Sequence, residues 1–137
     1  VLVLDCSVAV AWCFEDEASR ALDALLDQVR ADGAVVPALW VTEIGNVLVQ
    51  AALRGRLPPE AVQERLGLFD MLPIEVDAAG QGPAWRAAVL ALAVAEALSA
   101  YNAAYLELAI RRRLPLASGD ATLRRAALRH GVPVLPG

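Results

Sequence analysis

The sequence predicts an α/β fold, a parallel β-sheet covered by helices on both faces, in a single domain spanning residues 1–137. Three observations carry that prediction. Short apolar runs alternate along the chain with longer segments of helical periodicity. The runs are continuously apolar, as in strands buried on both faces of a sheet. A chain of 137 residues, 58% of them apolar, is long enough for one sizeable core and too short for two ordinary ones.

The first run, Val1 to Leu4, is a strand that delivers Asp5 to its carboxyl end, and Ser7 is placed to cap the helix that follows. After the acidic Glu15-Asp16-Glu17 comes the amphipathic "ASRALDALLDQVRA", closed by Asp32-Gly33. "AVVP" is the second strand and "ALWVTEIGNVLVQAALRGR" a long helix, on which Glu43 and Asn46 share a face because they lie three residues apart. Pro58-Pro59 opens the helix "PEAVQERLGLFDML", and "PIEVD" is the third strand. An alanine-rich helix reaches about Ala95, and Ser99 caps a last long helix through Arg113. "LPLAS" is the fourth strand, closed by Gly119-Asp120; a helix from Ala121 to His130 leads to the fifth, "VPVL". The chain shows no repeat, linker or low-complexity segment.

Composition narrows the function. No apolar run approaches the roughly 20 residues that cross a bilayer, and the first strand passes into a helical pattern without the layout of a signal peptide. Two cysteines, Cys6 and Cys13, cannot staple a fold of this size. A soluble cytoplasmic protein without membrane association is expected. The net charge of −4 argues against a broad, non-specific grip on nucleic acid. All twelve basic residues are arginine, so chemistry that needs a lysine ammonium is excluded. Arg111, Arg112 and Arg113 form one run, which is either a solvated helix face or a phosphate-binding patch. The apolar excess predicts an uncovered patch, hence a homodimer or higher homo-oligomer, or an obligate partner.

In open α/β sheets the site lies beyond the carboxyl ends of the strands. Asp5 and Asp120 stand there, although either alone could serve as a loop or cap acid. Glu43 differs because it sits inside an apolar helix, where an unpaired charge is costly and demands a partner, a proton or a metal. Three carboxylates in one cleft repel, and a divalent cation of the Mg²⁺ or Mn²⁺ kind is the natural neutraliser. A thiol enzyme on Cys6 and His130 is disfavoured, since Cys6 reads as buried and His130 as a helix end. Zinc lacks ligands at workable spacing, a phosphate-receiver domain lacks its lysine, and no P-loop or GxGxxG stretch is present.

Four stretches, "VLVLDCSVAVAWCFEDE", "PALWVTEIGNVL", "LSAYNAAYLELA" and "LPLASGDATLRRAA", together resemble a PIN-domain ribonuclease of the VapC toxin type. The likeness runs over essentially the whole chain with the motifs in order. It implies a metal-dependent endoribonuclease whose acids occupy four positions: Asp5, Glu43, a third that is Asn102 here where the pattern has "AYDAAYLELA", and Asp120. Asn102 keeps a carbonyl oxygen for a metal but lacks the charge, so weaker cation binding is expected. Ser7, Asn46 and Ser118 are candidate supports that orient the acids, Ser118 the weakest of them, and Asn46 reads equally as a plain satisfied amide. The resemblance further implies an RNA substrate, tRNA or another structured RNA, held by Arg111, Arg112 and Arg113, and a small VapB-like antitoxin whose tail enters the cleft. The competing reading is a catalytically impaired PIN-like domain that binds RNA or a partner; Asn102 favours it, and the retention of Asp5, Glu43 and Asp120 counts against it.

Overall fold

The first strand, β1 (Leu2–Leu4), is buried throughout and lies at the centre of a five-stranded sheet in a computed structural model that describes residues 1–137. The other strands are β2 (Ala34–Val36), β3 (Ile74–Val76), β4 (Leu116–Ala117) and β5 (Val134–Leu135). Their order is β3-β2-β1-β4-β5, with every neighbouring pair parallel. Burial follows position. The inner strands β1, β2 and β4 are wholly buried, as their apolar runs require, whereas the edge strand β3 exposes Glu75 and Val76.

Seven helices cover both faces of this sheet: α1 (Cys6–Ala11), α2 (Arg20–Asp32), α3 (Leu39–Leu53), α4 (Ala61–Phe69), α5 (Gly82–Glu96), α6 (Ala100–Arg112) and α7 (Ala121–Arg129). One cluster of 24 buried residues joins β1, β2 and β4 to residues of α1, α2, α3, α6 and α7, so the sheet and its covering helices share one core. No single helix is long and apolar enough to cross a membrane.

Helix ends show the local chemistry. Ser19 and Ser99 accept the main-chain N–H of Leu22 and Asn102, each at 3.1 Å, satisfying a donor that the helix leaves open. Gly33 ends α2 at φ 88°, where a Cβ would meet the Pro73 carbonyl at 3.0 Å. Ser7 does not cap α1. Asp5 holds the N-cap position, and Ser7 is the second helical residue with its hydroxyl turned to the strand ends. The acidic Glu15–Glu17 forms a 3₁₀ turn of its own, in which Asp16 and Glu17 both pair with Arg56.

The strand order decides where a site can form. From β1 the chain moves outward through β2 to β3, then returns to the other side of β1 for β4 and β5. The order therefore reverses between β1 and β4, where the connections diverge and leave a crevice at the carboxyl ends. Asp5 follows β1 directly, and Ser118, Gly119 and Asp120 follow β4.

Candidate active site

Asp5 is only 5% exposed, and the fold leaves its carboxylate free of the capping role that its position would invite. The amides that open α1 bond instead to its main-chain carbonyl, from Val8 at 3.2 Å and Ala9 at 3.4 Å. Two serines hold the carboxylate. Ser118 Oγ donates to Asp5 Oδ2 at 2.7 Å, and Ser7 Oγ donates to the same oxygen at 2.8 Å. Each hydroxyl in turn accepts a backbone N–H from the turn after β4, Ser7 from Gly119 at 2.9 Å and Ser118 from Asp120 at 3.0 Å. The two strand ends are thus laced together through Asp5. Both side-chain bonds converge on Oδ2, so Oδ1 has no side-chain partner.

Asp120 is the N-cap of α7, and its Oδ1 accepts the Leu123 N–H at 2.8 Å. One oxygen is spent on the helix; the other is not. A cleft of about 840 Å³ opens beside it, lined by Ser7, Ser118, Asp120 and Arg124 among others, while Asp5, Glu43 and Asn102 lie outside its lining. Arg124 donates to the carbonyls of Ser118, Leu135 and Pro136 at 2.9, 3.1 and 2.6 Å, and so ties the β4 and β5 ends together.

Glu43 lies half-buried on α3 and accepts a hydrogen bond from the hydroxyl of Tyr105, a side chain fully buried on α6. Burial, more than any other influence, raises the Asp5 carboxyl above its ordinary range; the two serines offset part of the rise, and the charge of Asp120 adds to it. Glu43 is raised for the same first cause, with Tyr105 opposing and the charge of Asp5 adding. Asp5 therefore stands in electrostatic reach of both other acids. Burial likewise drives the Cys6 thiol far up, with Glu43 and Asp5 adding, which disposes of a thiolate nucleophile. His130 ends α7 and bonds to Glu96 at 2.8 Å, away from Cys6.

Asn102 lies in the first turn of α6. Its main-chain N–H is taken by Ser99, and its half-buried side-chain amide makes no hydrogen bond within the chain. It precedes Tyr105 by one turn and so shares the helix face that meets Glu43. Asn46 is exposed and makes no hydrogen bond to the acids. The arginine run is largely occupied. Arg111 grips buried Asp77 at 2.6 Å and Glu107 at 2.6 Å, and Arg112 pairs with Glu75 at 2.7 Å. Arg113, at φ 55° after the helix, has no carboxylate partner. At 1.5 Å per residue, Arg111 stands roughly 13 Å along α6 from Asn102.

The donor chemistry fits a hard divalent cation, because the charge of Asp120 disfavours ionisation of buried Asp5 and that of Asp5 disfavours ionisation of half-buried Glu43, and carboxylates so placed gain by sharing a positive charge. As the side chains stand, no three acidic, histidine or cysteine groups form a ligand cluster. Tyr105 engages Glu43 and the first turn of α7 engages Asp120. Sequence reasoning missed Tyr105 as part of this site, although its place three residues after Asn102 was a usable signal.

Residues 2–129 match the family described as the PIN domain, and the chain belongs to that family. PIN domains have a fold that is generally that of metal-dependent nucleases, and they usually bind divalent metal ions. Among solved structures the chain is similar to PAE2754 from Pyrobaculum aerophilum, with a TM-score of 0.71 at 23% identity, over 98% of this chain and 83% of that one. At that identity the likeness bears on the fold. No curated protein sequence matches the chain.

Proposed function

We propose that this protein is a Mg²⁺- or Mn²⁺-dependent endoribonuclease, the toxin of a VapBC-type toxin–antitoxin pair acting in the cytoplasm. The observation that carries the reading is Asp5, buried at the switch in strand order, clamped by Ser7 and Ser118 and flanked electrostatically by Glu43 and Asp120. Asp5, Glu43 and Asp120 would hold the cation, with the Asn102 carbonyl as a neutral fourth donor. When bound, that ion supplies neutralisation of the scissile phosphate and a water of lowered pKa for in-line attack. The serines keep Asp5 in one orientation, and the free oxygen of Asp120 can orient or accept a proton from the attacking water. Arg113, the member of the run without a carboxylate partner, is the strongest candidate for contact with RNA phosphates.

The antitoxin reading draws support from a groove of about 660 Å³ lined by Trp12, Phe14, Leu22, Leu26, Phe69 and Leu72, a surface suited to an apolar segment of a small partner. A homodimer draws support from Val41, Val49 and Leu53, exposed apolar residues eight and four positions apart along one side of α3. Light scattering should report more than a monomer at micromolar concentration; a monomer well above that removes the dimer from the account. The alternative, a domain that binds RNA or a partner with impaired cleavage, is favoured by Asn102 and by the absence of a closed ligand cluster. Titrating Mn²⁺ against thermal unfolding separates the two, because a cation that binds only the folded chain raises its melting temperature. The nuclease reading expects a rise in the wild type that Asp5→Asn removes. A wild type indifferent to millimolar Mn²⁺ supports the binding module.

A further inference from the structure

We propose that Tyr105 is a positioning residue that sets the orientation of Glu43 for the cation. The proposal rests on the reading that Glu43 is one of the donors. Tyr105 is 0% exposed and belongs to the main core cluster, so its ring is fixed by packing on a long helix. Its hydroxyl is the only hydrogen-bond partner of the Glu43 side chain, and it reaches across from α6 to α3 to take Oε1. Glu43 has no other anchor. A glutamate on an exposed helix face samples several rotamers, whereas one held by a buried phenol presents its second oxygen in a single direction.

The placement of α6 strengthens the case. Asn102 and Tyr105 lie three residues apart and share a face, so one helix offers the site an open amide and, a turn later, a fixed clamp. The bland alternative is that a buried hydroxyl needs an acceptor and Glu43 happens to supply it. The two differ in what happens to the cation. Partners that orient a metal ligand typically change metal affinity about 10- to 100-fold when removed, whereas a hydroxyl that only satisfies itself changes stability and nothing else.

The test compares wild type, Tyr105→Phe, Glu43→Gln and the double variant, with Mn²⁺ alone as the probe in thermal unfolding and RNA cleavage as the second readout. Tyr105→Phe should keep its metal-free fold, shift the Mn²⁺ midpoint upward about tenfold, and lower kcat with KM unchanged. In the Glu43→Gln background the same change should leave the midpoint and kcat where Glu43→Gln put them. Equal effects of Tyr105→Phe in both backgrounds overturn the proposal, as does an unchanged midpoint or loss of the metal-free fold. If Glu43→Gln moves the midpoint and Tyr105→Phe does not, only this proposal fails. If wild type shows no Mn²⁺ response, the nuclease reading fails and takes this proposal with it.

Discussion

Ser118→Ala tests the clamp on Asp5 most sharply. Ser118 is fully buried, donates to Asp5 Oδ2 at 2.7 Å and accepts the Asp120 N–H at 3.0 Å. Its removal forfeits a bond to a charged acceptor, worth about 1.5–3 kcal/mol, and leaves a backbone donor unpaired. A loss of roughly 2–3 kcal/mol follows, which in a chain of this size lowers the melting temperature by roughly 6–12 °C. The loss depends on pH in a definite direction. Asp5 in the folded chain is raised above the ordinary aspartate value of 3.8, so the native state holds a proton that the unfolded chain has already released. Its contribution is fully present below that value and is lost as pH rises through the raised one. Of the influences that lower the Asp5 value, the Ser118 bond is the largest, so the variant pushes the residue further up. The deficit relative to wild type should therefore be smaller at about pH 4 than at about pH 8, with the part due to the unpaired Asp120 N–H present at both. Metal-free thermal or urea unfolding across that range measures it, with Ser7→Ala as a milder control, since Ser7 is exposed and its bond costs about 1 kcal/mol. A deficit below about 0.5 kcal/mol, or one equal at both ends of the range, refutes the clamp.

Asn102→Asp should tighten Mn²⁺ binding and raise RNA cleavage while lowering metal-free stability through added repulsion among the acids, read by the same titration with a cleavage assay; destabilisation with no gain in metal response places Asn102 outside the cation's reach. Arg111→Ala should cost about 2–3 kcal/mol, because it removes the main partner of buried Asp77, whose carboxyl the Arg111 guanidinium holds below its ordinary range, and leaves only Arg112 at 3.8 Å; urea unfolding measures it. Arg113→Ala should leave stability within about 0.5 kcal/mol. The salt dependence of RNA binding should flatten by about one unit of slope in that variant; an unchanged slope returns Arg113 to solvated surface.

The strands were legible because a parallel sheet buried on both faces leaves a continuous apolar mark, and Val1 to Leu4, "AVVP" and "LPLAS" carry it plainly. Asp5 and Asp120 were legible for the related reason that strand ends place them. Contacts between distant segments left no such mark. Ser118 ranked lowest among the supports because nothing near it in sequence reveals a partner 113 residues away, yet it is the buried member of the clamp. Ser7 read as a helix cap, since a serine just before an apolar helical run usually is one; the turn after β4 claims its hydroxyl instead. The arginine run read as a candidate RNA patch because charge is visible in sequence and its neutralisation is not: Asp77 and Glu75 lie 34 and 37 residues earlier. Helices α5 and α6 ended without the usual glycine, on Ala97 and Arg113 at φ 54° and 55°, so their last turns were blurred.

Cleavage of total RNA with and without Mn²⁺, by wild type and by Asp5→Ala, followed by sequencing of fragment ends, decides whether this protein is a cation-dependent ribonuclease. Discrete new ends that need both the cation and Asp5 are expected, modest in yield because Asn102 contributes no charge. Intact RNA at millimolar Mn²⁺, or the same ends produced by Asp5→Ala, contradicts the nuclease reading.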